Sequence, residues 1–140
     1  MAREYPHDIE AERSLLGSMI ISKDVCNEIL SLASPDDFYL DSHRTLFESM
    51  KAISNQNNVV DVITLTSYLM DKKLLEKVGG VDYLLQLSES VPTIAHRHYY
   101  LKILNEKSLL RKLIKQSTPL YFEIIFIPTL LVCHLYKILY

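Results

Sequence analysis

The sequence predicts an all-α fold, a compact multi-helix domain followed by one long helix. Three observations carry that expectation. Apolar residues recur at intervals of three, four and seven along most of the chain, the repeat of helices with one buried stripe. Only 3 Gly and 5 Pro occur in 140 residues, too few for the tight turns of a sandwich or barrel. One β-branched run, Val59-Val60-Asp61-Val62-Ile63, is the sole strand candidate. At 49% apolar and 23% charged, the chain has enough apolar side chain for a core.

The elements follow in order. Pro6 and Asp8 signal a start, because Pro is tolerated where a helix begins and Asp can accept from an orphan backbone N–H. Ile9, Leu16, Met19 and Ile20 then give a first helix near 8–21. Ser22 caps a second, with Val25, Cys26, Ile29 and Leu30 on its buried stripe. Ser34-Pro35-Asp36-Asp37 ends it, since the residue before Pro is pushed out of the α region. Asp41 or Ser42 caps a third helix near 42–54, carrying Leu46, Phe47, Met50 and Ile53. Asn55-Gln56-Asn57-Asn58 is a polar loop. Beyond it, Asp61 with Ile63, Leu65, Leu69 and Met70 reads as a capped helix, with a strand as the alternative. Gly79-Gly80 ends a short piece, and Val81, Leu84, Leu85 and Leu87, with Tyr83 beside them, form another short helix. Pro92-Thr93 then precedes the longest element, roughly 94–116.

Charge divides the chain into three. Residues 1–96, the compact body, hold 8 basic and 15 acidic side chains. Residues 97–117 hold six basic residues against Glu106 alone, a long basic amphipathic helix. Residues 118–140 form an apolar tail with 16 apolar residues in 23. The net −2 of the whole is therefore an acidic body offset by a basic helix. Along that helix Tyr99, Ile103, Leu110 and Leu113 recur on one stripe, with Tyr100, Leu104 and Ile114 alongside. Such a stripe needs cover. It packs either on its own body or against another helical arm or subunit, and spacing alone leaves both open.

No chemistry-bearing constellation emerges. His96 and His98 lie two apart, on different helix faces, and no H-E-x-x-H occurs among the five His, so no metal site is expected. Cys26 and Cys133 have no ligand-spaced partner and imply no disulfide framework, which makes a reducing, cytoplasmic setting the expectation. The N-terminal residues lack the apolar run of a secretory signal. No G-x-x-x-x-G-K-[ST] phosphate loop and no nucleophile signature are present, so no catalytic residue and no cofactor are assigned. Adjacent Asp36 and Asp37 are accounted for by capping. The basic run 97–115 has aromatic residues only at Tyr99 and Tyr100, which makes direct DNA binding weak or absent. Membrane spanning is also not expected. Only 10 residues separate Glu123 from His134, with Pro128 among them, where a spanning helix takes about 20 apolar residues.

Several segments, in order, resemble the N-terminal domain of the bacterial replicative DNA helicase, the DnaB family: PHDIEAERSLLGSMI (6–20), DFYLDSHRTLFESM (37–50), VDVITL (60–65), VGGVDYLLQLSESVPT (78–93) and YYLKILNEKSLLRKLI (99–114). The resemblance implies a helical body followed by a helical hairpin, with 99–116 as its first arm. It implies self-association into a collar, with Tyr99, Tyr100, Ile103, Leu104, Leu110, Leu113 and Ile114 as the oligomer interface. It further implies docking of the primase C-terminal domain or a helicase loader. Past about Gln116 the likeness stops, and the RecA-type motor of the family has no counterpart here, so neither ATP hydrolysis nor unwinding is expected of these residues. The tail admits three readings: a frameshifted or read-through product, a helix substituting for the second arm, or a membrane-associating segment. A different class of function, a membrane-tethered or DNA-touching helical adaptor, would use the basic helix and the tail.

Overall fold

The computed structural model describes residues 4–117. The tail 118–140, with its three readings, lies outside the described residues. The chain divides into two units between Ser108 and Leu109.

In the first unit, α1 (Ile9–Ile21) starts where Asp8 accepts from the backbone N–H of Ala11 at 2.9 Å. It ends at Ser22, which turns to cap α2 (Lys23–Leu32) by accepting from the N–H of Val25. One serine thus closes one helix and opens the next. Pro35–Asp37 forms a 3-10 turn in which the Asp37 carboxylate accepts from the backbone N–H of Ser34 at 2.8 Å. The third helix, α3 (Asp41–Asn55), begins one residue earlier than its apolar spacing suggests. Neither Asp41 nor Ser42 is its cap. Leu40 occupies that position and gives no side-chain hydrogen bond. Arg44 fastens the entry instead, donating to the carbonyls of Phe38 (2.8 Å) and Tyr39 (3.2 Å).

The β-branched run is not a strand. Asp61 caps α4 (Val62–Asp71) through a reciprocal pair: its carboxylate accepts from the Thr64 N–H at 2.8 Å, and Thr64 Oγ1 accepts from the Asp61 N–H at 3.0 Å. Satisfying two orphan donors at once outweighs the modest β preference of Val and Ile. The short α5 (Leu75–Val78) stops at Gly79, whose φ of 108° is a left-handed conformation that residues with a Cβ rarely adopt. From there α6 (Gly80–Glu89) runs on, and a second 3-10 turn, Ile94–His96, leads into helical residues 97–117. No strand occurs among the described residues.

α1 is the central element, packing on α2, α3 and α6. Gly17 makes the approach of α6 possible, because a Cβ there would collide with the carbonyl oxygen of Leu87 and with Val91. Leu15, Leu16 and Met19 of α1 meet Ile29, Leu46, Phe47, Met50, Leu65, Leu69, Leu84 and Leu87 in one core. Phe38, delivered by the Pro35 turn, lies against Phe47 at 5.1 Å between ring centres. Leu101 and Leu104 also belong to this core, so the body does not end at residue 96. The first three turns of the basic helix are part of the compact unit, and the boundary falls inside the helical stretch.

Candidate interaction surface

The segment 97–108 is tied to the body by both charge and packing. Arg97 Nε donates to Glu28 Oε2 at 2.6 Å, and His98 Nε2 lies 3.4 Å from Glu28 Oε1. The hydrogen bond from Arg97, aided by its charge and that of His98, holds the Glu28 carboxyl below the usual carboxylate range. Deeper in, Ser108 Oγ donates to Asp37 Oδ1 at 2.6 Å, with Ser108 buried. The Asp37 side chain, which sequence alone assigns to local capping, therefore also holds a residue 71 positions away.

The seven residues expected at the oligomer interface do not share one fate. Leu104 is buried in its own core and offers no surface, a correction to its assignment. Helical spacing places 101, 104 and 108 on one face, and that face is turned inward. Tyr100 is partly buried against the same core, and Ile103 is half-buried. Tyr99 is 63% exposed. In the second unit, Leu110, Leu113 and Ile114 are 44%, 51% and 40% exposed, and Leu109, which the stripe did not include, is 56% exposed. Leu110, Leu113 and Ile114 stand at i, i+3 and i+4, one apolar face of the 109–117 segment. Exposed large apolar side chains on one face mark an interaction surface more often than chance exposure does.

Sequence reasoning missed a second arrangement. Glu12, His43 and Tyr83 form a chain through the body's interior. His43 Nδ1 is 2.6 Å from Glu12 Oε2, His43 Nε2 is 2.7 Å from Tyr83 Oη, and the Tyr39 N–H donates to Glu12 Oε1 at 2.5 Å. Arg13 lies over the Tyr83 ring, 5.9 Å from its centre, and burial pushes the Tyr83 hydroxyl pKa up. A carboxylate, an imidazole and a phenol in line could pass a proton, but Glu12 and His43 are sealed from solvent. The chain joins α1, α3 and α6. The spacings 31 and 40 give no motif. The available signal was periodicity: Glu12 falls on the apolar stripe of Ile9 and Leu16, and His43 on that of Leu46, Phe47 and Met50.

Among the described residues no group of three or more His, Cys, Asp or Glu could hold a metal ion. None of their helices is long and apolar enough to cross a membrane.

Among the described residues the fold is all-helical, with a polar chain buried in the first unit and apolar side chains exposed on the 109–117 segment. Residues 4–106 match the DnaB-like helicase N terminal domain. The chain belongs to that family. It is similar to the replicative DNA helicase DnaC of Bacillus subtilis (strain 168), 41% identical over 113 residues that make up 81% of this chain and 25% of that protein. It is also similar to the replicative DNA helicase DnaB of Geobacillus stearothermophilus, 37% identical over 113 residues, with the same two shares. The chain thus spans about a quarter of the length of these relatives. The crystal structure of the N-terminal domain of DnaB helicase from Mycobacterium tuberculosis superposes with a TM-score of 0.79 at 35% identity, covering 83% of each chain.

Proposed function

We propose that this chain is a scaffold domain of the replicative helicase assembly, acting in DNA replication in the cytoplasm by self-association and by docking the C-terminal domain of primase or a helicase loader. It holds partners and does not itself hydrolyse ATP or unwind DNA. One observation carries the reading: Leu110, Leu113 and Ile114 are exposed on one helical face in a chain of this family. Burying about 100 Å² of apolar surface per side chain is worth roughly 2–3 kcal/mol, a gain set against the entropic cost of bringing two copies together. The acidic body suits a partner with a basic patch, through steering more than affinity.

Titration calorimetry of the chain with a purified primase C-terminal domain tests the docking part. Saturable binding that weakens with added salt is expected. Absence of heat and of comigration on gel filtration would remove primase from the proposal.

A further inference from the structure

Where the N-terminal end of α2 meets the loop after α3, the body has a hollow of about 300 Å³. Buried Cys26 and Val60 contribute to its wall. Its polar groups are Lys23, Asn27, Ser54, Asn57 and Asn58. The lining holds one cation, no carboxylate and no aromatic ring. Asn57 takes φ 60°, a left-handed turn that Asn tolerates, and its backbone N–H is spent on the carbonyl of Ser54. The Asn58 N–H goes to the carbonyl of Ile53. Asn27 Oδ1 accepts from Ser54 Oγ at 3.3 Å, which leaves its N–H₂ group to donate elsewhere. Among the described residues, the side chains of Lys23, Asn57 and Asn58 have no hydrogen-bond partner.

The geometry points to a binding site for an extended peptide segment of a partner protein that bears a carboxylate, with Lys23 as its counter-charge and the asparagine carboxamides on the peptide main chain. A carboxamide offers both a donor and an acceptor, the pair that a peptide unit needs. A nucleobase would want a ring to stack on, and the lining has none. The single charge of Lys23 matches a carboxylate, whereas a phosphoryl group carries about −1.5 to −2. The Cys26 thiol does not alter the charge, because burial pushes its pKa up to about 11 and keeps it neutral.

Continuity favours a peptide over a free carboxylate. Asn58 also lines a neighbouring groove with Ile63, Tyr68 and Asp71. Ile63 and Ser67 in turn line a third, apolar groove with Met70 and Val81. Ile63 is 80% exposed and stands between the second and third grooves. The run begins at a cation and ends on apolar side chains, with Asp71 in the middle groove disfavouring a carboxylate beyond the Lys23 end. One exposed ion pair holds a small anion poorly; the added length supplies the remaining contacts.

The test is an NMR titration of the full 140-residue chain with three probes: the blocked peptide acetyl-Leu-Ser-Gly-Ser-Asp-amide, the same peptide ending in Asn, and sodium acetate. The expected result is saturable movement of the Asn27, Asn57 and Asn58 side-chain amide signals with the Asp peptide, severalfold weaker with the Asn peptide and at least tenfold weaker with acetate. Lys23→Gln should weaken the Asp peptide severalfold, and Ile63→Ala severalfold. Both residues are exposed, so both variants should keep a folded spectrum. No saturation with the Asp peptide, acetate binding as well as the peptide, or a Lys23→Gln variant that binds unchanged would each overturn the site. None of these outcomes bears on self-association.

Discussion

His43 Nδ1 stands 2.6 Å from Glu12 Oε2, with neither side chain open to water, and this contact joins two helices 31 residues apart in sequence. His43 Nδ1 meets Glu12 Oε2 within hydrogen-bonding distance, while Nε2 faces the Tyr83 hydroxyl. Every polar atom of the pair has a partner, which is what makes its burial tolerable.

Removing one member should therefore cost more than the pair's net worth. Glu12→Ala removes the group facing both His43 Nδ1 and the Tyr39 N–H, and should lower stability by about 3 kcal/mol. Tyr83→Phe removes only the outer hydroxyl and should cost about 1 kcal/mol. Urea unfolding followed by circular dichroism reads both. Equal effects of the two substitutions would contradict the picture of a sealed inner pair with an outer phenol.

The reciprocal cap at Asp61 makes a separate prediction. Asp61→Ala leaves the Thr64 N–H without its acceptor and should destabilise by about 1 kcal/mol, with an unchanged m-value. Asp61→Asn should recover most of that loss, since a side-chain oxygen remains at the same place.

Gly17 is required by close approach. Gly17→Ala puts a methyl group into the carbonyl of Leu87, and α1 and α6 must separate. A loss of about 2 kcal/mol is expected, by analogy with overpacked cores. The measurement is again urea unfolding, and a neutral substitution would contradict so close a crossing of α1 and α6.

The Glu28 cluster carries a pH dependence with a definite sign. Its carboxyl pKa is lower in the folded chain than in the unfolded one, chiefly through Arg97. The stabilisation is therefore present above the unfolded value of 4.5 and is lost as pH falls through the folded one. In Arg97→Gln the Glu28 midpoint, followed by carboxyl carbon NMR, should move up towards 4.5. A midpoint that stays put would assign the shift to something other than Arg97.

Much of the fold was legible from local rules, because they agree with one another. Asp8 and Ser22 cap where apolar spacing begins, Pro35 breaks where the residue before it must leave the α region, and Gly79 stops α5 with a positive φ. Two kinds of information were not local. The start of α3 is held by Arg44 reaching back to carbonyls, which no cap pattern encodes. The inward turn of Leu101 and Leu104 depends on where the body lies, and a stripe on a helix does not say which of its members meets which partner. The same holds for Glu12 and His43, polar residues that only a three-dimensional neighbour makes tolerable.

The account rests most heavily on the exposed apolar face of residues 109–117. Sedimentation velocity on the 140-residue chain and on a Leu110→Ser, Leu113→Ser, Ile114→Ser variant, across a hundredfold range of concentration, tests it directly. The parent should shift with concentration from the 16.2 kDa monomer to a dimer or larger species, and the variant should stay monomeric with an unchanged circular dichroism spectrum. Two superimposable sets of distributions would contradict the claim that this face is where copies of the chain meet.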